Sequence, residues 1–119
     1  MEETAEKFMD VFFGLQRAHG VYEITGQKTT AKGIKKDGNG RTLQEPLTLD
    51  LWKKHLKGEM SIGVIPLTDN ETCKWGCIDV DEYPIDIKNI RSIIKDMDLP
   101  LVPCMTKSGG VHLFLFTKE

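Results

Sequence analysis

The run Trp75-Gly76-Cys77-Ile78-Asp79-Val80-Asp81 constrains the fold more than any other part of the sequence. It reads as a strand, and side chains on a strand alternate faces. Trp75, Cys77, Asp79 and Asp81 therefore share one face, and Gly76, Ile78 and Val80 the other. Aspartate is poorly suited to a strand interior. Two carboxylates on one face repel each other unless a cation or basic group lies between them. A divalent ion held by both removes the repulsion. Mg²⁺ commonly takes one or two carboxylates and completes its octahedron with water and substrate phosphates. The same residues also fit a strand that stops early and leaves both acids as solvated loop residues beside the next helix.

A second constellation is Lys107-Ser108-Gly109-Gly110-Val111-His112. A Gly-rich turn lets backbone amides approach phosphate oxygens, and Lys107 adds positive charge at its start. His112 alternates with Phe114 and Phe116 along a predicted strand 111–116, while Val111, Leu113 and Leu115 take the other face. A histidine at the mouth of a strand can donate a hydrogen bond to a phosphate. A plain hairpin turn with a half-buried histidine fits these residues as well.

Topology joins the two. Between them lie a helix with apolar positions Ile87, Ile90, Ile94 and Met97, with Ile93 beside them, and a strand over 101–105. Pro84 is placed in the first turn of that helix and Pro100 follows its end. A strand, a crossover helix and a parallel strand leave a gap in the sheet, which the strand 111–116 fills antiparallel to the Asp strand. Asp79 and Asp81 then lie opposite His112. The predicted fold class is α+β, an RRM-like split βαβ sheet, mostly antiparallel, preceded by a small N-terminal α/β unit.

In that N-terminal part, Phe8, Val11, Phe12 and Leu15 follow helical spacing, with Gly20 as the stop after His19. There, Arg17 and His19 would favour the helix dipole. Residues 21–24 form a short strand. The segment Gly26–Arg41 holds four glycines and no apolar period and is predicted to be a loop. Thr48 caps a short helix that carries Trp52 and Leu56 and ends at Gly58. Residues 61–65 form a strand that stops at Pro66 and pairs with 75–81 as a hairpin across a turn at 68–71. One domain of 119 residues results, with a helical and loop unit at 1–58 and the sheet with both motifs at 59–119. Trp52 and Trp75 read as core rather than as base-stacking platforms.

Net charge is −2, which excludes a uniformly basic nucleic-acid coat. The charge is unevenly spread: the segment from Gly26 to Arg41 carries +4 and the segment from Asp69 to Asp86 carries −5. A basic segment beside an acidic site suits a metal-dependent enzyme acting on polyanions, and two solvated loops would show the same pattern. Lys35 and Lys36 are candidates for nucleic-acid contact without base specificity. No apolar run approaches a membrane span, and the acidic start has no apolar core behind it. The cysteines Cys73, Cys77 and Cys104 are an odd count without CxxC spacing, which gives neither a disulfide framework nor a zinc site and points to a cytoplasmic protein.

Gly76-Cys77-Ile78-Asp79-Val80-Asp81 resembles the hydrophobic-Asp-hydrophobic-Asp motif of archaeo-eukaryotic primases, and Gly110-Val111-His112 resembles their small-x-His motif. The nearest resemblance is to the primase-polymerases of mobile elements and phage, including the primases of TOTE conflict systems. It extends upstream through Gly14-Leu15, 18–22, Trp52, His55-Leu56 and 62–66.

The resemblance implies that Asp79 and Asp81 hold Mg²⁺ or Mn²⁺ and that His112 contacts the phosphates of an incoming nucleotide. It implies a two-metal nucleotidyl transfer from nucleoside triphosphates, on a DNA or RNA template and primer. The turn residues Lys107, Ser108, Gly109 and Gly110 would bind the same nucleotide. Family members carry a third acid on a later strand. Asp69, Glu82 and Asp86 do not have the expected order, so the chain is expected to be an incomplete catalytic core that works with a downstream part of the primase or an associated helicase. Two other functions use the same residues: a noncatalytic nucleotide or nucleic-acid binding module, and a metal-dependent nuclease.

Overall fold

The computed structural model describes every residue except Lys32, Tyr83, Lys107, Ser108 and Glu119, and only the backbone of Thr30, Gly33, Lys35 and Lys36. In chain order the elements are α1 (Glu2–Val11), β1 (His19–Thr30), β2 (Gly33–Leu43), α2 (Leu49–Leu56), β3 (Ser61–Gly63), β4 (Trp75–Val80), α3 (Ile87–Asp96), β5 (Val102–Met105) and β6 (Val111–Phe116). They form two three-stranded antiparallel sheets, ordered β2-β1-β3 and β4-β6-β5. The chain is therefore α+β. The second sheet has the split arrangement that the sequence predicts, with β6 filling the gap between β4 and β5.

Four local expectations are corrected. Helix α1 ends at Val11, not near His19. Beyond it Gly14 packs on the chain at 64–65: a Cβ there would lie 2.7 Å from Val64 Cγ1 and overlap the Ile65 carbonyl. The Leu15 amide donates to that carbonyl at 2.8 Å. This contact pulls the chain out of the helix. His19 instead opens β1, fully buried, with Nδ1 donating to the Glu45 carbonyl at 2.7 Å.

The expected loop from Gly26 to Arg41 is most of a long hairpin. β1 and β2 pair from His19↔Leu43 to Thr30↔Gly33, with a bulge between Ile24 and Gly26. Both faces of its outer part meet water, so no apolar alternation is required of it. Tyr22 covers the glycines opposite: a Cβ at Gly38 would lie 2.6 Å from Tyr22 Cε1, and one at Gly40 3.5 Å from Cδ2. The strand at 61–63 pairs with β1 and not with the Asp strand, with Gly20 facing Gly63. The partner of β4 is β6, over all six residues. Finally, α3 starts at Ile87 and not at Pro84, because Asp86 caps it by accepting from the Lys88 amide at 3.0 Å and the Asn89 amide at 3.4 Å.

Other elements form as their sequences predict. Thr48 Oγ1 accepts from the Leu51 amide at 3.3 Å, and Gly58 leaves α2 at φ +79°. Trp52, on α2, is buried beneath Phe8 and Phe12, with ring centroids at 6.0 and 6.4 Å. Phe12 in turn meets Trp75, Phe114 and Phe116 at 5.4, 5.3 and 5.6 Å, and Trp75 Nε1 donates to the Phe13 carbonyl at 3.1 Å. Trp52 is thus core, while Trp75 is half-buried at the edge of the cluster. This aromatic cluster joins the two N-terminal helices to the β4 and β6 ends of the second sheet.

The remainder is open. The accessible surface is 8626 Å², against roughly 6,500 Å² for a compact monomer of this mass. The radius of gyration is 15.7 Å, against about 13.5 Å for a compact domain of this length. No residue of α3 is buried, so its apolar face is only half covered by the sheet. Stability should therefore depend on the aromatic cluster. Trp52→Ala is expected to cost about 3–5 kcal/mol in urea denaturation, whereas Met97→Ala, at a position 65% exposed, should stay within about 0.5 kcal/mol.

Candidate functional site

The geometry of the site is set by the β4–β6 ladder. The Thr117 amide donates to the Lys74 carbonyl at 2.7 Å, which fixes the phase of the hydrogen bonds between these strands. Counting inward, Asp79 and His112 form a non-hydrogen-bonded pair, the arrangement in which opposed side chains come closest. His112 Nε2 lies 3.7 Å from Asp79 Oδ1. On the other side of β6, Cys104 faces His112. Asp79, His112 and Cys104 thus form one row across the sheet. Cys77, Phe114 and Val102 form the next row on the same face, toward the aromatic cluster.

Asp81 follows the last residue of β4 and is exposed, as is Asp79. Among the described residues neither carboxylate has a Lys or Arg within ion-pair distance, and no group of three or more His, Cys, Asp or Glu gathers at metal-binding spacing. The other acids of the segment are engaged or apart. Asp69 accepts from Arg17 Nε at 3.0 Å, and Asp86 caps α3. Arg17 therefore pairs with a loop acid instead of ending a helix. Two open carboxylates are hard oxygen donors that suit a divalent ion of the Mg²⁺ and Mn²⁺ class, and they leave most coordination positions to water and phosphate.

The glycine turn sits at the same edge. Gly109 has φ +85°, and its amide donates to the Thr106 carbonyl at 3.1 Å. The Gly110 amide donates to Thr106 Oγ1 at 3.0 Å. A phosphate reaching these amides shares them with Thr106. Lys107 and Ser108 lie outside the described residues. Lys35 and Lys36 lie on β2, opposite Lys28 and Gln27, in the sheet that does not contain Asp79; their side chains are likewise outside the description.

The sequence reading did not place Cys104 beside His112. The signal was available in principle, since counting back across the turn from Gly110 pairs Thr106 with Gly110 and Cys104 with His112. The neighbouring Cys77 thiol is pushed up from its ordinary pKa, first by burial, then by the negative charge of Asp79 and by Cys104, with the Leu113 backbone acting in the opposite sense.

A family model described as TOTE conflict system, Archaeo-Eukaryotic Primase domain, matches residues 7–119. Comparison with curated protein sequences finds no match.

The state of Cys77 reports on the charge at Asp79. Asp79→Asn removes a negative charge that disfavours the thiolate, so the Cys77 pKa should fall and its alkylation by iodoacetamide at neutral pH should quicken. Because burial is the larger cause, the gain should stay below about tenfold. Peptide mapping of the alkylated protein reads this rate, and an unchanged or slower rate would show that the Asp79 charge does not reach the thiol.

Proposed function

Because the chain belongs to the archaeo-eukaryotic primase family of TOTE conflict systems, a family of primase-like nucleotidyltransferases, we propose that it carries the nucleotide-transfer site of a primase-polymerase. The reaction is transfer of a nucleoside triphosphate onto a primer or an initiating nucleotide held on a DNA or RNA template. The observation that supports this most is the cross-strand pair of Asp79 and His112, with Nε2 and Oδ1 3.7 Å apart, within two motifs that resemble those of the family.

In this reading Asp79 and Asp81 hold Mg²⁺ or Mn²⁺, which when bound neutralises charge on the phosphates and activates the attacking hydroxyl. His112 orients the phosphates by donating a hydrogen bond from its ring. Gly109 and Gly110 offer the edge along which the triphosphate lies, and Lys107 and Ser108 are proposed as further contacts to it. Lys35 and Lys36 contact template phosphates from the hairpin arm.

Neither Asp69 nor Asp86 supplies a third carboxylate, since they are tied to Arg17 and to the start of α3. The chain alone therefore binds metal weakly and extends primers negligibly. It gains activity with a partner polypeptide that supplies the third acid.

The tests separate the roles. Titration calorimetry of Asp79→Asn with Asp81→Asn should show loss of specific Mn²⁺ binding, and unchanged affinity removes the metal assignment. His112→Ala should weaken triphosphate binding more than nucleoside binding, because the lost contact is to phosphate. Equal losses for both ligands would count against that contact. Templated extension by residues 1–119 alone, abolished by Asp79→Ala, would show that two acids suffice.

A further inference from the structure

On the far side of the second sheet lies a groove of about 530 Å³ between α3 and β5, lined by Lys88, Arg91, Ser92, Ile94, Lys95 and Pro103. Strand alternation puts Cys104 on the His112 face and Pro103 on the opposite one, so the groove opens away from Asp79. Lys88, Arg91, Ser92 and Lys95 stand at i, i+3, i+4 and i+7. At 100° per residue they fall within an arc of about 100° on one helix face. Asp96, the only acid of α3, lies about a quarter turn away from the middle of that arc. Among the described residues no carboxylate lies within ion-pair distance of the three cations, whereas Lys7, Lys28, Lys53 and Lys54 each pair with one.

We infer that this groove binds the phosphate backbone of a nucleic-acid strand, as a second contact surface behind the nucleotide-transfer face; the inference rests on the primase reading for its partner class. Three cations and a hydroxyl are the donor set that phosphate oxygens need, and the arginine fork can take a phosphate through two hydrogen bonds. The cations rise about 4.5 and 10.5 Å along the helix from Lys88, so they can follow successive phosphates of one strand.

The rival occupant is an extended acidic peptide added as a strand to β5, and the edge does not suit it. The Thr106 amide donates to the Gly110 carbonyl, so the ladder phase makes Pro103 and Leu113 a non-hydrogen-bonded pair. The main-chain groups of Pro103 thus face outward, and proline has no amide to offer an incoming strand. Among the described residues the groove holds no aromatic ring on which a base could stack, so the contact reads backbone and not sequence.

The experiment is fluorescence anisotropy of a labelled oligo(dT) against the whole chain over a salt series. The groove variant is Lys88→Gln/Arg91→Gln/Lys95→Gln, with circular dichroism as the check on folding. Its affinity should fall tenfold or more, and its salt slope should fall by about 2, from about 0.7 per lost phosphate contact. A control, Lys53→Gln/Lys54→Gln/Lys57→Gln, removes the same number of charges from α2 and its end and should bind as the wild type does. A charge-retaining variant, Lys88→Arg/Lys95→Arg, should also keep affinity.

Unchanged slope in the groove variant overturns the inference, as does an equal loss in the α2 control, which would mark a net-charge effect. Retained oligo(dT) binding with loss of a labelled oligo-glutamate peptide would make the groove a peptide seat and equally overturn it. Mn²⁺ titration of the groove variant separates the two readings. Normal Mn²⁺ binding with unaltered DNA binding defeats the groove alone. Metal binding that ignores Asp79 and Asp81 defeats the primase site alone.

Discussion

The antiparallel pairing of β4 with β6 is the constraint on which the rest depends. One register sets Trp75 against Phe116 and, at the other end, Asp79 against His112. The aromatic end packs on Phe12 and through it on Trp52, while the acidic end meets solvent. A slip of one residue would send Trp75 and Phe114 to opposite faces and part Asp79 from His112 in the same motion. Folding energy at one end of the strand therefore holds chemical geometry at the other. At the acidic end Val111, fully buried opposite Val80, adds packing of its own on the face away from Asp79.

This division also explains how aspartates are tolerated on a strand. β4 is an edge strand, and Asp79 and Asp81 lie where it runs out into water. Charge on an edge discourages pairing with a stray strand, so the acids protect the edge that they occupy. The histidine across the ladder is the one neighbouring group that can compensate Asp79 within the described residues, and only when protonated.

Sequence patterns disclosed the second sheet far better than the first. The strand at 111–116 alternates apolar faces, and one of these packs on a real core, so its ends were legible to the residue. The caps at Thr48 and Gly58 were legible because each is a local interaction. The hairpin was not. The outer parts of its strands meet water on both sides, and β2 carries glycines that fit beneath Tyr22; neither trait produces a period that a strand pattern would reveal.

The end of α1 and the partner of β3 were hidden for a different reason. Both depend on Gly14 and Gly20 meeting residues about 50 and 43 positions away, in contacts that no local pattern records. For the site, the pairing of Asp79 with His112 followed from topology. Cys104 required the turn register, and the fate of Asp69 required a long-range partner in Arg17.

The site bears the marks of function conflicting with stability. Asp79 lowers strand propensity, and neither it nor Asp81 has a lysine or arginine partner among the described residues. Nothing in the aromatic cluster depends on their carboxylates, so a chain selected for stability alone would replace them with neutral or β-branched residues. The cations of α3 present the same contradiction. Three like charges share one helix face where alternating signs would be cheaper. Local choices that oppose the fold without an internal compensation are expected where the compensation arrives from outside; under the proposed function this is a cation for the acids and phosphate for the bases. The two unfavourable clusters have opposite sign and lie on opposite faces of one sheet. A polyanion with its associated metal ion is the kind of partner that relieves both.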